Sequence, residues 1–219
     1  MFNAKFKMIN FLLISIGLSF TQIAADEIKV AVASNFYPAM KEVVLQYELK
    51  KYQSSENHKI ILISGSSGKH YAQILNGAPF DIFFSADKAR PILLEKKGIS
   101  ETGSRFTYAL GRLVLWSSFD GFIERDERLY NNDLRFLAIA NPKIAPYGVA
   151  AREALISMNL WEDLQSKLVR GENIAQTFQF VNSGNAKLGF ISYSQLMSSS
   201  YPVVGSFWEV PQTLYTPIE

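Results

Sequence analysis

From Glu27 onward the chain switches repeatedly between two hydrophobic rhythms, one with the period of a strand and one with the period of a helix. Ile28, Val30 and Val32 share one strand face, and Phe36, Met40, Val43, Val44 and Tyr47 then recur at helical spacing. A second strand over 59–63 runs through Ser64-Gly65-Ser66-Ser67-Gly68 into a helix carrying Tyr71, Ile74 and Leu75, which Gly77 closes. A third strand over 80–84 precedes a helix over 89–97 that stops at Gly98. Strands alternating with helices in this way predict a parallel sheet covered by helices.

Residues 106–116 read differently, as one long extended segment with Gly111 in its middle, and a second strand–helix series begins beyond it. That series has a strand over 136–140, a turn at Asn141-Pro142, helices over 148–158 and 174–181, and a strand over 188–192. Residues 203–210 and 213–218 read as strands returning to the first series. The pattern predicts an α/β protein of two lobes joined by crossing strands. Lobe 1 comprises 26–107 with 205–219, and lobe 2 comprises 108–204.

The first 25 residues break the pattern. Lys5 and Lys7 precede an apolar run from Met8 to Phe20, and Ile23-Ala24-Ala25 supplies small residues for cleavage, the layout of an export signal. The mature chain then starts near Asp26. The run is short for a membrane span, and no later segment is continuously apolar for about 18 residues. Without Lys5 and Lys7 the 22 basic residues fall to the number of acidic ones, which is 20, so the mature chain carries no net charge. That balance gives no support to a nucleic-acid partner. There is no cysteine, hence no disulfide, thiolate nucleophile or cysteine metal site. At 48% hydrophobic and 13% aromatic residues the composition suits a packed core.

In open α/β sheets ligands sit beyond the carboxyl ends of the strands, where helix N-termini offer unpaired N–H groups. Four junctions of that kind are legible. Ser34-Asn35 follows the first strand, with Tyr37 and Pro38 in the first helical turn. Gly65-Ser66-Ser67-Gly68 sets two hydroxyls between glycines that allow close approach of the backbone. Pro146-Tyr147-Gly148 opens an alanine-rich helix, and Asn173 stands where it can cap a helix beginning at Ile174. Each junction taken alone is better explained as an ordinary cap or turn. Neither a G-x-S-x-G nucleophile elbow nor a phosphate loop ending in Gly-Lys-Ser/Thr is present. Asp81 and Asp87 read as structural caps. Lys69 and Arg152 lie near the proposed mouth, as distant steering charges or as ordinary solvated residues.

Taken together, these segments resemble the periplasmic molybdate-binding proteins of ABC importers. The resemblance rests on Ala33-Ser34-Asn35-Phe36, on Gly65-Ser66-Ser67-Gly68 running into Gln73-Ile74-Leu75-Asn76-Gly77-Ala78-Pro79, and on Asp81-Ile82-Phe83-Phe84-Ser85-Ala86-Asp87. It continues through Ala140-Asn141-Pro142, Ala145-Pro146-Tyr147-Gly148 and Leu188-Gly189-Phe190-Ile191. The resemblance implies a two-lobed periplasmic binding protein of type II whose hinge closes it over a tetrahedral oxyanion. It implies that Ser34, Asn35 and Ser67 donate from one lobe, and that Tyr147 and Ile174 donate from the other mainly through backbone N–H groups. These five residues would meet the metal only as contacts to the oxygens of molybdate, with Ser66 a second-choice neighbour. A branch of the family uses a tyrosine hydroxyl near 188–193, but the register here offers Ser192, with Tyr193 one step on, and both are left out of the contact set.

The resemblance further implies high-affinity binding of molybdate and tungstate in the periplasm and delivery to an inner-membrane ABC permease. It implies a monomer with no cofactor, no catalytic residues and no nucleic-acid partner. The family continues past the point where this chain stops, at Tyr215-Thr216-Pro217-Ile218-Glu219, with a helical segment on the first lobe, so the expected architecture lacks that segment. Two alternatives stand beside this reading. One is a binding protein for sulfate or another tetrahedral oxyanion. The other is an exported hydrolase using Ser66 or Ser67, for which Lys69 and His70 are the candidate bases.

Overall fold

A computed structural model describes residues 26–51, 58–198 and 204–219. The export signal expected over 1–25, and position 203 of an expected strand, lie outside the described residues.

The first half forms a three-stranded parallel sheet of β1 (Asp26–Ala33), β2 (His58–Gly65) and β3 (Ile82–Phe84) in the order β2-β1-β3. Val30 lies opposite Leu62 and Ile82 across this sheet. Helices α1 (Tyr37–Lys51), α2 (Ser67–Leu75) and α3 (Ala89–Lys96) follow the three strands. Asp81 and Asp87 have the structural roles expected of them. The Asp81 carboxylate accepts from the Lys29 N–H at 2.7 Å, and that of Asp87 accepts from the Arg90 N–H at 2.9 Å and pairs with the Arg90 guanidinium.

The second half forms a five-stranded mixed sheet. Its strands are β4 (Leu113–Ser117), β5 (Leu137–Ala140), β6 (Leu168–Gly171), β7 (Leu188–Ser192) and β8 (Ser206–Glu209), in the order β6-β5-β7-β4-β8. Helices α4 (Pro146–Ser157), α5 (Trp161–Leu164), α6 (Ile174–Asn182) and α7 (Tyr193–Leu196) pack around it. One face buries Leu113, Leu115, Leu137, Ile139, Leu188 and Phe190 beneath the alanines of α4. On the other face Trp116 stacks on Phe178, with ring centroids 4.9 Å apart and planes 4° from parallel.

Five local readings change. The crossover over 106–116 is regular only in β4, and before it Gly111 makes a single isolated bridge to Ile218. Residues 168–171, to which the hydrophobic pattern assigned no element, form β6; Leu168-Val169-Arg170-Gly171 is too short to display a strand period and is fixed by pairing with β5. Helix α4 begins at Pro146, where a missing N–H costs nothing. Finally, Ser206–Glu209 pairs antiparallel with β4, so this stretch belongs to the five-stranded sheet and does not return to the first one. Residues 213–218 form a 3₁₀ turn at Gln212–Leu214 and a single bridge from Ile218 to Gly111, not a strand. Only the very end reaches back, where Glu219 pairs with Lys88 and accepts from the Thr107 hydroxyl.

Candidate functional site

The carboxyl ends of β1 and β2 in one unit face the N-termini of α4 and α6 in the other. Between them lies a small cavity lined by Ala33, Ser34, Asn35, Ser66, Ser67, Ala86, Tyr147 and Ile174, among others. All five residues singled out from the sequence thus line one space, although they are spread over more than half the chain. The space measures about 10 Å³, about what a single water needs. No lysine, arginine, aspartate or glutamate lines it.

Local chemistry leaves donors pointing at this space. Ser34 uses its N–H on the Gly65 carbonyl at 2.9 Å, so its hydroxyl is the group left for the cavity. Ser66 caps α2 through a long contact of 3.4 Å from the Lys69 N–H, which puts Ser67 at the first helical position. The Ser67 hydroxyl oxygen accepts from the Ala86 N–H at 2.9 Å and retains its own proton to donate. Asn173 caps α6 by accepting from Ala175 and Gln176, both at 3.0 Å, which leaves the Ile174 N–H uncommitted at the helix start. The N-cap position of α4 is Ala145, which has no side-chain acceptor, Pro146 has no N–H, and the Gly148 N–H donates to the Ala145 carbonyl at 2.9 Å, so the Tyr147 N–H is the one left without a capping partner. Positive helix ends therefore converge here with no cation among the lining residues.

Tyr147 turns its phenol away from the cavity. The ring is buried, and its hydroxyl lies within hydrogen-bonding reach of the Asn35 and Ser192 side chains. Burial pushes the Tyr147 phenol well above its ordinary range, so it stays protonated. Ser192, whose position invited a ligand role, does not line the cavity. Its hydroxyl and N–H both donate to the Gln195 side-chain oxygen at 3.0 Å, and the Gln195 amide donates to the Ile174 carbonyl at 3.1 Å. The neighbouring Ser194 hydroxyl donates to the Asn35 carbonyl at 3.0 Å, which links the two units beside the cavity. Sequence reasoning missed this chain of side chains, because only the fold brings residues 192–195 against Asn35.

Other candidates are committed elsewhere. Lys69 pairs with Glu172 at 2.6 Å, and Arg152 lies over the Trp161 ring at 5.5 Å, so neither charge faces the cavity. His70 is buried, with its Nδ1 3.2 Å from the Gln73 side-chain oxygen and its Nε2 packed against Gly65, where a Cβ would stand 2.7 Å from it. The His70 ring therefore leaves no room for a side chain at Gly65, which also lines the cavity. A serine hydrolase mechanism is left without a base at Ser66 or Ser67. Among the described residues no group of histidines and carboxylates is arranged to hold a metal ion, and no helix is long and apolar enough to cross a membrane.

Two α/β units facing each other across a polar, uncharged cavity define a class, and the chain belongs to the bacterial extracellular solute-binding proteins, whose family pattern matches residues 28–219. Within that class its relatives include proteins described as molybdate-binding. One, from Azotobacter vinelandii, is 45% identical over 210 residues, covering 94% of this chain and 81% of that protein. Another, from Rhodobacter capsulatus, is 42% identical over 196 residues, covering 90% of this chain and 75% of that protein. The solved structure of an Azotobacter vinelandii periplasmic molybdate-binding protein superposes with a TM-score of 0.80 at 39% identity, covering 87% of this chain and 82% of that one.

Proposed function

We propose that this protein binds molybdate, and tungstate with it, tightly outside the cytoplasm and passes it as a monomer to the permease of an ABC importer. The observation that carries the reading is the convergence of Ser34, Asn35, Ser67, Tyr147 and Ile174 on one uncharged cavity between two units. Ser34 and Ser67 donate hydroxyls. Asn35, Tyr147 and Ile174 donate backbone N–H groups, with the Asn35 side chain kept on the Tyr147 phenol. Binding is the whole task. The protein performs no covalent step and needs no cofactor.

A cage of neutral donors suits a dianion that must later be released. Bonds to a charged acceptor contribute about 1.5–3 kcal/mol each, and no fixed cation opposes departure. Donor-only walls disfavour an anion that still carries a proton, as phosphate does near neutral pH, because its O–H finds no acceptor. Molybdate and tungstate are fully ionised there. Sulfate has the same charge and is smaller, so it fills the donor set less well. Because donors come from both units, the anion binds the closed arrangement best, and closure presents the permease with a distinct surface. Residues 1–25 act as the export signal. The domain division follows the sheets, with the two segments around Gly111 and Ile218 as the hinge.

Calorimetry on residues 26–219 with molybdate, tungstate, sulfate and phosphate tests this reading. The expected result is tight binding of the first two and much weaker binding of the others. Preference for sulfate would transfer the site to the alternative ligand, and no binding of any of the four would remove the anion reading altogether.

A further inference from the structure

We propose that Gly68 is a positioning residue for closure, because a side chain at this position would keep the two units apart. The inference builds on the clamp reading of the site, although Gly68 itself does not line the cavity. Its N–H donates across the cleft to the Ile144 carbonyl at 2.8 Å, main chain to main chain. A Cβ built on Gly68 would stand 2.6 Å from the Ile144 carbonyl oxygen, 2.8 Å from the Ile144 Cα and 2.9 Å from the Arg90 guanidinium. The guanidinium is the end of a flexible side chain and can move. The Ile144 atoms cannot.

Ile144 sits in a turn that its own hydrogen bonds hold. The Ile144 and Ala145 N–H groups both donate to the Asn141 carbonyl, at 3.1 and 2.9 Å, and the Lys143 N–H donates to the Asn141 side chain at 3.0 Å. That turn leads directly into α4, whose Tyr147 lines the cavity. A methyl group on residue 68 is therefore relieved by moving the units apart rather than by reshaping the turn. Gly68 does not have a left-handed backbone, so nothing but space demands glycine there. Within α2 itself alanine is the better helix former, and G68A should not weaken the unit that carries it. The Lys69–Glu172 ion pair and the Ser194–Asn35 bond also span the two units, but both are made by side chains, which tolerate small displacements. In the Gly68–Ile144 contact, by contrast, main-chain atoms of both units meet with no room between.

The chain has no cysteine, which allows closure to be measured directly. Lys69→Cys and Glu172→Cys place thiols at the two ends of an existing cross-cleft ion pair, and a short bis-maleimide then reports how often those ends meet. Introducing G68A into that double variant should slow crosslinking about tenfold or more without any ligand, as expected for forcing a methyl into a packed contact. The melting temperature of the unliganded protein should be unchanged or higher. Crosslinking at equal rates in both backgrounds, or in neither, overturns the proposal, and so does a marked fall in melting temperature. Adding molybdate examines the underlying reading separately. Acceleration in the Gly68 background supports the clamp, and its absence there counts against the ligand while leaving the crosslinking comparison standing.

Discussion

Strands β4, β5 and β7 are buried along their entire length, whereas β1 becomes buried only over its last four residues and β2 only at Gly65. The five-stranded unit closes both faces of its sheet, with Phe190, Leu137 and Leu188 on one side and Trp116 and Ile191 on the other. The buried core of the three-stranded unit is Val30, Val32 and Met40, surrounded by half-buried neighbours. Its helix α1 leaves Val43, Leu45 and Leu49 more than half exposed. Yet both units supply donors to the same cavity. The burial of β1 and β2 is concentrated at the ends that carry Ser34 and the loop before Ser67, so packing is densest where it holds the site. A binding cleft thus needs a rigid rim more than it needs two equally massive lobes.

The sharpest way to break that comparison is to remove donors without touching either core. Ser34→Ala combined with Ser67→Ala deletes two hydroxyl bonds to a charged ligand. At about 1.5–3 kcal/mol each, molybdate affinity should fall by roughly two orders of magnitude or more; Ser34→Ala alone should change the melting temperature little, whereas Ser67→Ala also strips the buried Ala86 N–H of its acceptor and should cost about 1–3 kcal/mol of stability. An unchanged dissociation constant in calorimetry would refute the site. Next in size is Phe190→Ala, which empties the larger core and should cost about 3–5 kcal/mol in urea unfolding. The matching truncation in the smaller unit, Leu62→Ala, removes a half-buried side chain and should cost about 1–2 kcal/mol. Equal losses for Phe190 and Leu62 would mean that the two units are packed alike.

Smaller effects probe the cleft and its floor. Lys69→Ala removes an ion pair whose side chains are 49% and 47% exposed, so affinity should drop by no more than about fivefold, and the difference should vanish in 1 M salt, about where screening is complete. His70 gives the least. Loss of hydration on burial holds its imidazole below the ordinary 6.5, against the opposing pull of the Gln73 bond. The folded chain therefore takes up a proton less readily than the unfolded chain. Stability should be fully present above about 6.5 and decline as the pH falls below it. In His70→Phe the part of that decline lying above the carboxylate range should disappear from a pH series of melting temperatures.

Much of this was legible because local signals agreed. Val30 and Val32 on one face, the Ser66 cap, the Asn173 cap and the glycine at residue 77 each mark an element boundary through chemistry confined to a few neighbours. The five candidate site residues were legible for the same reason, as donors left over at strand–helix junctions. What escaped were features set by partners far along the chain. Leu168-Val169-Arg170-Gly171 becomes a strand only beside β5, and Ser206–Glu209 joins the second sheet because β4 offers it an open edge. The Lys69 charge, a candidate for steering, is neutralised by a glutamate 103 positions away.

The sequence by itself determined the alternation of strands and helices, the caps and the set of unpaired donors, because those follow from periodicity and from side chains acting on their own backbone. Only the tertiary structure decided that the donors meet in one cavity, that Gly65 makes way for His70, that Gly68 makes way for Ile144, and that residues 192–195 tie Ile174 to Asn35. Each of these depends on distances between segments that the chain brings together only when both sheets have formed.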